Sequence, residues 1–422
     1  MKRNFITGLI TGICSALLVF ALVCTVPIVL YMNSKAEVKQ DKDSPGTTQE
    51  LNVSKETIAY DTVVSKLRNL QKLVDYYYLN DTEDVSMVDG IYKGFIASLG
   101  DPYSTYFTAE EYQALLESSS GIYCGIGASV NQDVKTGIIT IVKPFKDSPA
   151  YKSGLLPGDI IVKVDDEDVT GLDLTEVVSR IKGVEGTTVK VTVVRDGENL
   201  DFNIVRQKIE NPTVEYQMLD GKIGYIIVSE FDDVTVEQFK KAVDDLEAKD
   251  MKGLIVDVRN NPGGLLDAVV KVLDRLLPPG LVVYTQDKYN NRETEMAKDQ
   301  DKIKVPMAVL INNNSASASE IFAGTLQDYN TATVIGTTSF GKGIVQKVIP
   351  LTDGTAVKLT VSKYYTPKGR NIHGTGIVPD IEVELDKEWQ NKLTVPIEND
   401  NQLQEAIKFI KEKISSKNSS KK

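Results

Sequence analysis

Past Pro212 the chain alternates short apolar runs with amphipathic ones, and this restricts the fold more than any other feature of its 422 residues. "IGYIIVSEF" precedes a helical pattern over 235–250, and "GLIVDVRNNPGG" precedes one over 265–277. "PMAVLINNNSASASE" leads into a third that ends near Asp328, followed by the apolar run "ATVIGTTSF". Strand and helix in turn specify an α/β domain of mixed or parallel sheet. Small and polar residues fill two of the strand-to-helix junctions, where a helix start leaves backbone N–H groups free.

The rest of the chain divides by pattern into a multidomain α+β protein. Lys2 and Arg3, in a stub over 1–4, precede 28 uncharged and mostly apolar residues over 5–32. A membrane-crossing helix needs about 20 such residues. The basic flank predicts a single-pass anchor with its N-terminus in the cytoplasm and the remainder outside; a long cleaved signal is the competing reading. Residues 33–55 read as a flexible stalk. A helical N-terminal region follows over 56–117, with segments at Ile58–Leu79, 85–98 and "TAEEYQALLE", the last opened by a Thr108/Glu111 capping box. Over 118–208, short strands separated by Gly, Pro and Asp turns make a β-rich module. The α/β core spans 209–390, a C-terminal helical region 391–415, and a Ser/Lys-rich disordered tail 416–422.

A formal charge of −11 argues against nucleic acid as a partner. Cys14 and Cys24 lie in the apolar run, so Cys124 is alone in the remainder and no intramolecular disulfide or Cys-rich metal site is expected there. The single histidine, His373, limits both metal sites and histidine-based catalysis. No metal and no cofactor are implied.

Gly336 to Lys342 fits the spacing of a phosphate-binding loop, but Gly343 stands where Ser or Thr should hold magnesium. The following "GIVQKVIPL" reads as a strand, whereas a phosphate loop opens a helix. Nucleotide binding is therefore set aside. "NNNSASASEIFAG" places serines at a strand-to-helix turn, suited to a nucleophile whose oxyanion meets free N–H groups. Ser317 and Glu320 also fit a capping box, so Ser317 as a plain helix cap is the alternative. A serine nucleophile can use a neutral lysine as its base. Free lysine has a pKa of about 10.4, and burial can lower it by the ~3 units required. Lys342, flanked by Gly341 and Gly343 beside Phe340, is the candidate. With 342–348 as a strand, Lys342, Ile344 and Gln346 share one face, and the Gln346 amide can orient the amine. Asp328 would raise the lysine pKa and ranks as supporting structure. "DVRNNPGGLLDAVV" supplies glycines whose N–H groups can approach a reacting carbonyl.

Together these motifs resemble the carboxyl-terminal processing serine peptidases, also called tail-specific proteases. "GDPYSTYFTAEEY", "GIGA", "SGLLPGDIIVKVD", "LIVDVRNNPGGLL", "INNNSASASEIFAG" and "GTTSFGKGIVQ" occur in the family's order over roughly residues 60–385. The resemblance implies a serine endopeptidase in which Ser317 is the nucleophile, Lys342 the base and Gln346 its partner. It further implies an oxyanion hole of Ala318 N–H and a glycine N–H of "NPGG", assigned to Gly263. Residues 118–208 resemble a PDZ domain, whose loop N–H groups, here Gly125, Ile126, Gly127 and Ala128, would capture the C-terminal carboxylate of a protein or peptide substrate with an apolar tail. Where some relatives carry arginine in an I-R-G stretch, this chain has Lys182, with Arg180 nearby. Some relatives form homodimers through terminal helices. A non-catalytic PDZ scaffold is the rival reading, and it gives no reason to keep Ser317, Lys342 and Gln346 together.

Overall fold

The computed structural model describes residues 58–82, 86–299, 303–390, 392 and 395–419. The anchor expected over 5–32, the stalk over 33–55 and the end of the tail lie outside the described residues. Among the described residues no helix is long and apolar enough to cross a membrane. Helix α1 (Tyr60–Tyr77) belongs to a first unit, Met1–Asp84, and carries the expected helical spacing of apolar residues.

The second unit, Val85–Lys422, begins with α2 (Met87–Ala97), β1 (Thr105–Phe107) and α3 (Ala109–Ser120). The Thr108/Glu111 capping box opens α3, and Gly121 ends it in the left-handed conformation at φ 68°. Strand β1 was not expected inside a helical region. It pairs with a strand some 250 residues away, so its three residues carry no local signal of it.

The β-rich module comprises β2 (Ile122–Gly125), β3 (Ala128–Gln132), β4 (Ile139–Pro144), α4 (Pro149–Ser153), β5 (Ile160–Val164), β6 (Glu167–Asp168), α5 (Leu174–Ile181), β7 (Thr188–Arg195), β8 (Glu198–Val205) and β9 (Gln207–Glu210). Its sheet runs β3-β4-β5-β7-β8, with β6 on β5, so β3 presents a free edge. Ile141, Val177, Val189, Val191 and Val193 fill a core of its own. Strands β2 and β9 pair with each other and tether the module.

The α/β core comprises β10 (Val214–Leu219), β11 (Ile223–Val228), α6 (Asp233–Ala248), β12 (Gly253–Asp257), α7 (Leu266–Asp274), β13 (Gly280–Asp287), β14 (Arg292–Ala297), β15 (Met307–Ile311), α8 (Ala318–Asp328), β16 (Ala332–Gly336), β17 (Ile344–Pro350), β18 (Ala356–Tyr365), β19 (Ile381–Glu382) and α9 (Asn401–Ser419). One sheet runs β10-β11-β12-β15-β16-β19, parallel from β11 onward. Helices α6, α7 and α8 cover one face through Phe239, Leu273 and Phe322, and α9 covers the other through Leu403 and Ile410. Burial on both faces explains why β12 and β15 are apolar without alternation, every residue being buried. A second sheet runs β1-β18-β13-β14, with β17 on β18. The loops following β12, β15 and β16 emerge side by side at the carboxyl end of the parallel strands, the edge where open α/β sheets carry their sites.

Just before α6, Asp232 is only 3% exposed and its Oδ2 has no hydrogen-bond partner. Burial, with the nearby charges of Glu230 and Asp233, pushes its carboxyl up to about 7. A raised carboxyl pKa means that the folded state favours the protonated acid, so stability falls as pH climbs from the unfolded value of 3.8 through 7. Asp232→Asn should leave thermal stability near wild type at about pH 3, where both states hold the proton, and raise it at pH 8 by up to about 4 kcal/mol. Equal melting temperatures for variant and wild type at pH 8 would refute this.

Candidate active site

Strand β15 ends at Ile311 and the chain turns through Asn312–Ala316 before α8 begins. Ser317 sits at the turn with φ 54° and ψ −114°, outside the extended conformation usual for a helix cap. The three serines of "SASAS" differ in what they touch. Ser315 Oγ donates to Val258 O at 2.7 Å, and Ser319 Oγ donates to Asn261 O at 3.0 Å, both buried. Ser317 Oγ donates to no acceptor among the described residues. Two serines thus stitch this turn to the loop after β12, and the middle one is left available.

That second loop, 258–264, is held as firmly. Asn261 is fully buried; its amide donates to Val228 O and its Oδ1 accepts from Gly263 N–H at 2.8 Å. Asn260 joins Asn312 and Asn314 in side-chain hydrogen bonds across the two loops. Arg259 lies between Asp257 and Asp400 in a buried ion pair, fixing the end of β12 against the start of α9. Gly263, at φ 112°, passes so close that a Cβ there would lie 2.8 Å from Ser317 Cβ and 2.9 Å from Ala318 N. Ala318 N–H, the first of α8, has no acceptor among the described residues. Gly263 N–H is already engaged by Asn261, so an oxyanion on that side would either displace this bond or use Gly264 N–H.

Glu320 joins the serine turn to the loop after β16. Its buried carboxylate accepts from Ser317 N (2.9 Å) and Lys342 N (2.8 Å) through Oε2. Oε1 accepts from Gly341 N (2.7 Å) and Ser339 Oγ (2.6 Å). The expected capping contact is therefore present, but it extends to a second segment. Behind it, Tyr364 Oη on β18 lies 2.6 Å from Lys342 O and 3.0 Å from Ser317 O, a shared donor for both carbonyls. Gly343 packs so tightly on the 371–376 loop that a Cβ would lie 2.5 Å from His373 N. The substitution that spoils a phosphate loop thus has a steric reason here.

Lys342 is half-buried. Burial and the Lys358 charge lower its pKa, against the opposing pull of Asp101 and Glu320. No hydrogen bond joins Lys342 Nζ to Ser317 or Gln346 among the described residues. The amine instead lies 4.7 Å from the Tyr103 ring centroid, and Gln346 Nε2 contacts Thr360 Oγ1 at 3.4 Å. The expectation that a strand beginning at residue 342 sets both residues on one face is corrected. Strand β17 starts at Ile344, and its register on β18 shifts between Val345 and Gln346, so simple alternation does not relate the two. Asp328 is buried against Arg370 and accepts from Lys368 N, away from the lysine.

In the β-rich module, Gly125 ends β2 and Ala128 opens the free-edged β3. Between them, Ile126 O accepts from Ala150 N, and Gly127 O accepts from Phe145 N and Ser148 Oγ. Their carbonyls are thereby turned inward, while the N–H groups of Ile126 and Gly127 find no acceptor among the described residues. The Gln132 side chain ties the far end of β3 to Leu172 and Leu174 at the start of α5. Lys182 pairs with Glu117 of α3 at 2.6 Å and lies over the Tyr123 ring, whereas Arg180 pairs with Glu167 and Glu176 within the module.

Comparison with known proteins identifies the family. The model of peptidase family S41 matches residues 222–383, that of the PDZ domain 123–205, and that of the activating protease CtpB N-terminal domain 22–111. The carboxy-terminal processing protease CtpA of Bacillus subtilis is 39% identical over 327 residues, 77% of this chain and 70% of that protein. A carboxy-terminal-processing protease of Bartonella bacilliformis is 38% identical, covering 80% and 77% of the two chains. A putative S41 protease from Bacteroides fragilis shares the fold, with a TM-score of 0.51 at 17% identity over 89% of this chain and 99% of that one. The chain belongs to peptidase family S41, as a carboxy-terminal processing serine peptidase that carries a PDZ domain.

Proposed function

We propose that the protein is an endopeptidase that selects protein substrates by their C-terminal tails and cleaves them with a Ser317–Lys342 dyad. Ser317 Oγ attacks the scissile carbonyl as Lys342 takes its proton, and the lysine returns that proton to the leaving amine. Ala318 N–H and a glycine N–H of the 263–264 pair receive the oxyanion, and Gln346 orients the amine. The observation that carries this reading is the Glu320 brace, one oxygen accepting from the main chains of both Ser317 and Lys342. A tail-binding scaffold has no use for such a link. In the arrangement described the dyad is not hydrogen-bonded, so catalysis requires Lys342 to move onto Ser317. The free edge of β3 and the inward-turned carbonyls before it support tail capture by the PDZ domain. The apolar run over 5–32 supports a single-pass anchor with the catalytic part outside the cytoplasm, a position suited to regulatory or quality-control proteolysis.

An unfolded protein ending in an apolar tail should be cleaved at least about tenfold faster than the same protein with an amidated C-terminus. Initial rates followed by gel and mass spectrometry decide it. Equal rates would overturn tail recognition.

A further inference from the structure

We infer that Tyr103 is a positioning residue that parks Lys342 as an ammonium ion in the resting enzyme, off Ser317, and that the base enters catalysis by leaving this ring. The inference rests on Lys342 being the base. The ring belongs to the segment preceding the PDZ domain in sequence, yet its centroid lies 4.7 Å from Lys342 Nζ. Among the described residues no hydrogen bond or ion pair competes for that amine. An aromatic face attracts a cation more strongly than it holds a neutral amine, so the contact favours the charged lysine.

The platform is fixed. Asp101 accepts from Tyr103 N (3.0 Å) and from Ser104 Oγ (2.6 Å), and Ser104 Oγ accepts from Thr360 N (3.0 Å) on β18. Thr360 is also the residue that holds the Gln346 amide. One loop therefore sets the position of both the lysine and its expected partner. The charged groups facing Lys342 are Asp101 on this loop, Glu320 on α8 and Lys358 on β18. Asp101 adds to the ring's preference for the ammonium, and Lys358 opposes it. To act as base, the ammonium must give its proton to solvent as it leaves the ring for Ser317.

The test is the pH dependence of cleavage by the purified full chain, using an unfolded protein with an apolar tail. Tyr103→Phe keeps the aromatic face and should keep the wild-type rising limb. Tyr103→Leu keeps apolar bulk and should move the limb down by about half to one pH unit, raising the rate below it about three- to tenfold. Tyr103→Trp strengthens the face and should move the limb up, which leaves a reading should the leucine variant not fold. An unmoved limb in the leucine and tryptophan variants overturns the inference, as does a shift in Tyr103→Phe equal to that in Tyr103→Leu. A Lys342→Ala enzyme that cleaves like wild type would instead overturn the dyad itself.

Discussion

Ser317→Ala and Lys342→Ala should each lower kcat by at least about 10⁴-fold, with binding of a C-terminal peptide to the PDZ domain unchanged. Members of a nucleophile–base unit fail together, because neither activates the carbonyl alone; what remains is binding and oxyanion stabilisation. The double variant should therefore be little worse than either single one. Lys342→Arg is the sharper probe. It keeps charge and length, but a guanidinium cannot be deprotonated in a protein and cannot serve as base. An arginine variant with near-native kcat would rule out proton transfer to residue 342. In the wild type the sign of the pH effect follows from the lysine's surroundings. Burial and Lys358 lower its pKa, so the neutral base becomes populated below the ordinary lysine range, and the rate should rise with pH through that lowered value. Single-turnover cleavage and fluorescence titration of the peptide separate the chemical step from binding.

The sequence made the parallel sheet legible because its strands are buried on both faces and its junctions are short and polar. β12 and β15 read as continuous apolar runs, and the helices after them begin close to the expected residues. Ser317 stood out only through the resemblance; in isolation "SASAS" offers three equivalent hydroxyls. The fold distinguishes them by giving Ser315 and Ser319 acceptors in a loop more than 50 residues earlier. Tyr103 and Tyr364 were not legible as site residues for the same reason. Tyr103 reaches the site because its loop and β1 dock on β18, with Thr105 opposite Lys358, and such a pairing leaves no periodic trace in either segment. The irregularity beside Gln346 was hidden too, since the run "GIVQKVIPL" alternates smoothly while its partner strand does not stay in register. Apolar periodicity reports which face is buried. It is silent on which polar groups meet across sheets.

Glu320→Ala should combine a loss of stability of about 3–5 kcal/mol with a fall in kcat of at least about 100-fold. The carboxylate is fully buried and accepts four hydrogen bonds, three of them from the main-chain N–H groups of Ser317, Gly341 and Lys342. Deleting it leaves those donors without partners in a dry site, where each unsatisfied group costs about 1–3 kcal/mol. It also removes the side chain that accepts from the main-chain N–H groups of both Ser317 and Lys342, leaving Tyr364 Oη as the remaining side-chain link between the two segments. Relaxation of either loop by about 1 Å is enough to cost a hundredfold in rate. Glu320→Gln tests whether shape suffices. The amide keeps one acceptor oxygen but turns an NH₂ group toward N–H donors, so it should recover part of the melting temperature and little of the kcat. Glu320→Asp keeps the charge but withdraws the oxygens by one methylene, so it cannot reach both segments and should also remain slow. PDZ binding of a C-terminal peptide should be unaffected in all three, which separates a defect at the dyad from a general loss of fold. Near-native kcat in a folded Glu320→Ala enzyme would show that the serine and lysine loops hold their relation without the brace, and the main support for pairing Ser317 with Lys342 would be gone.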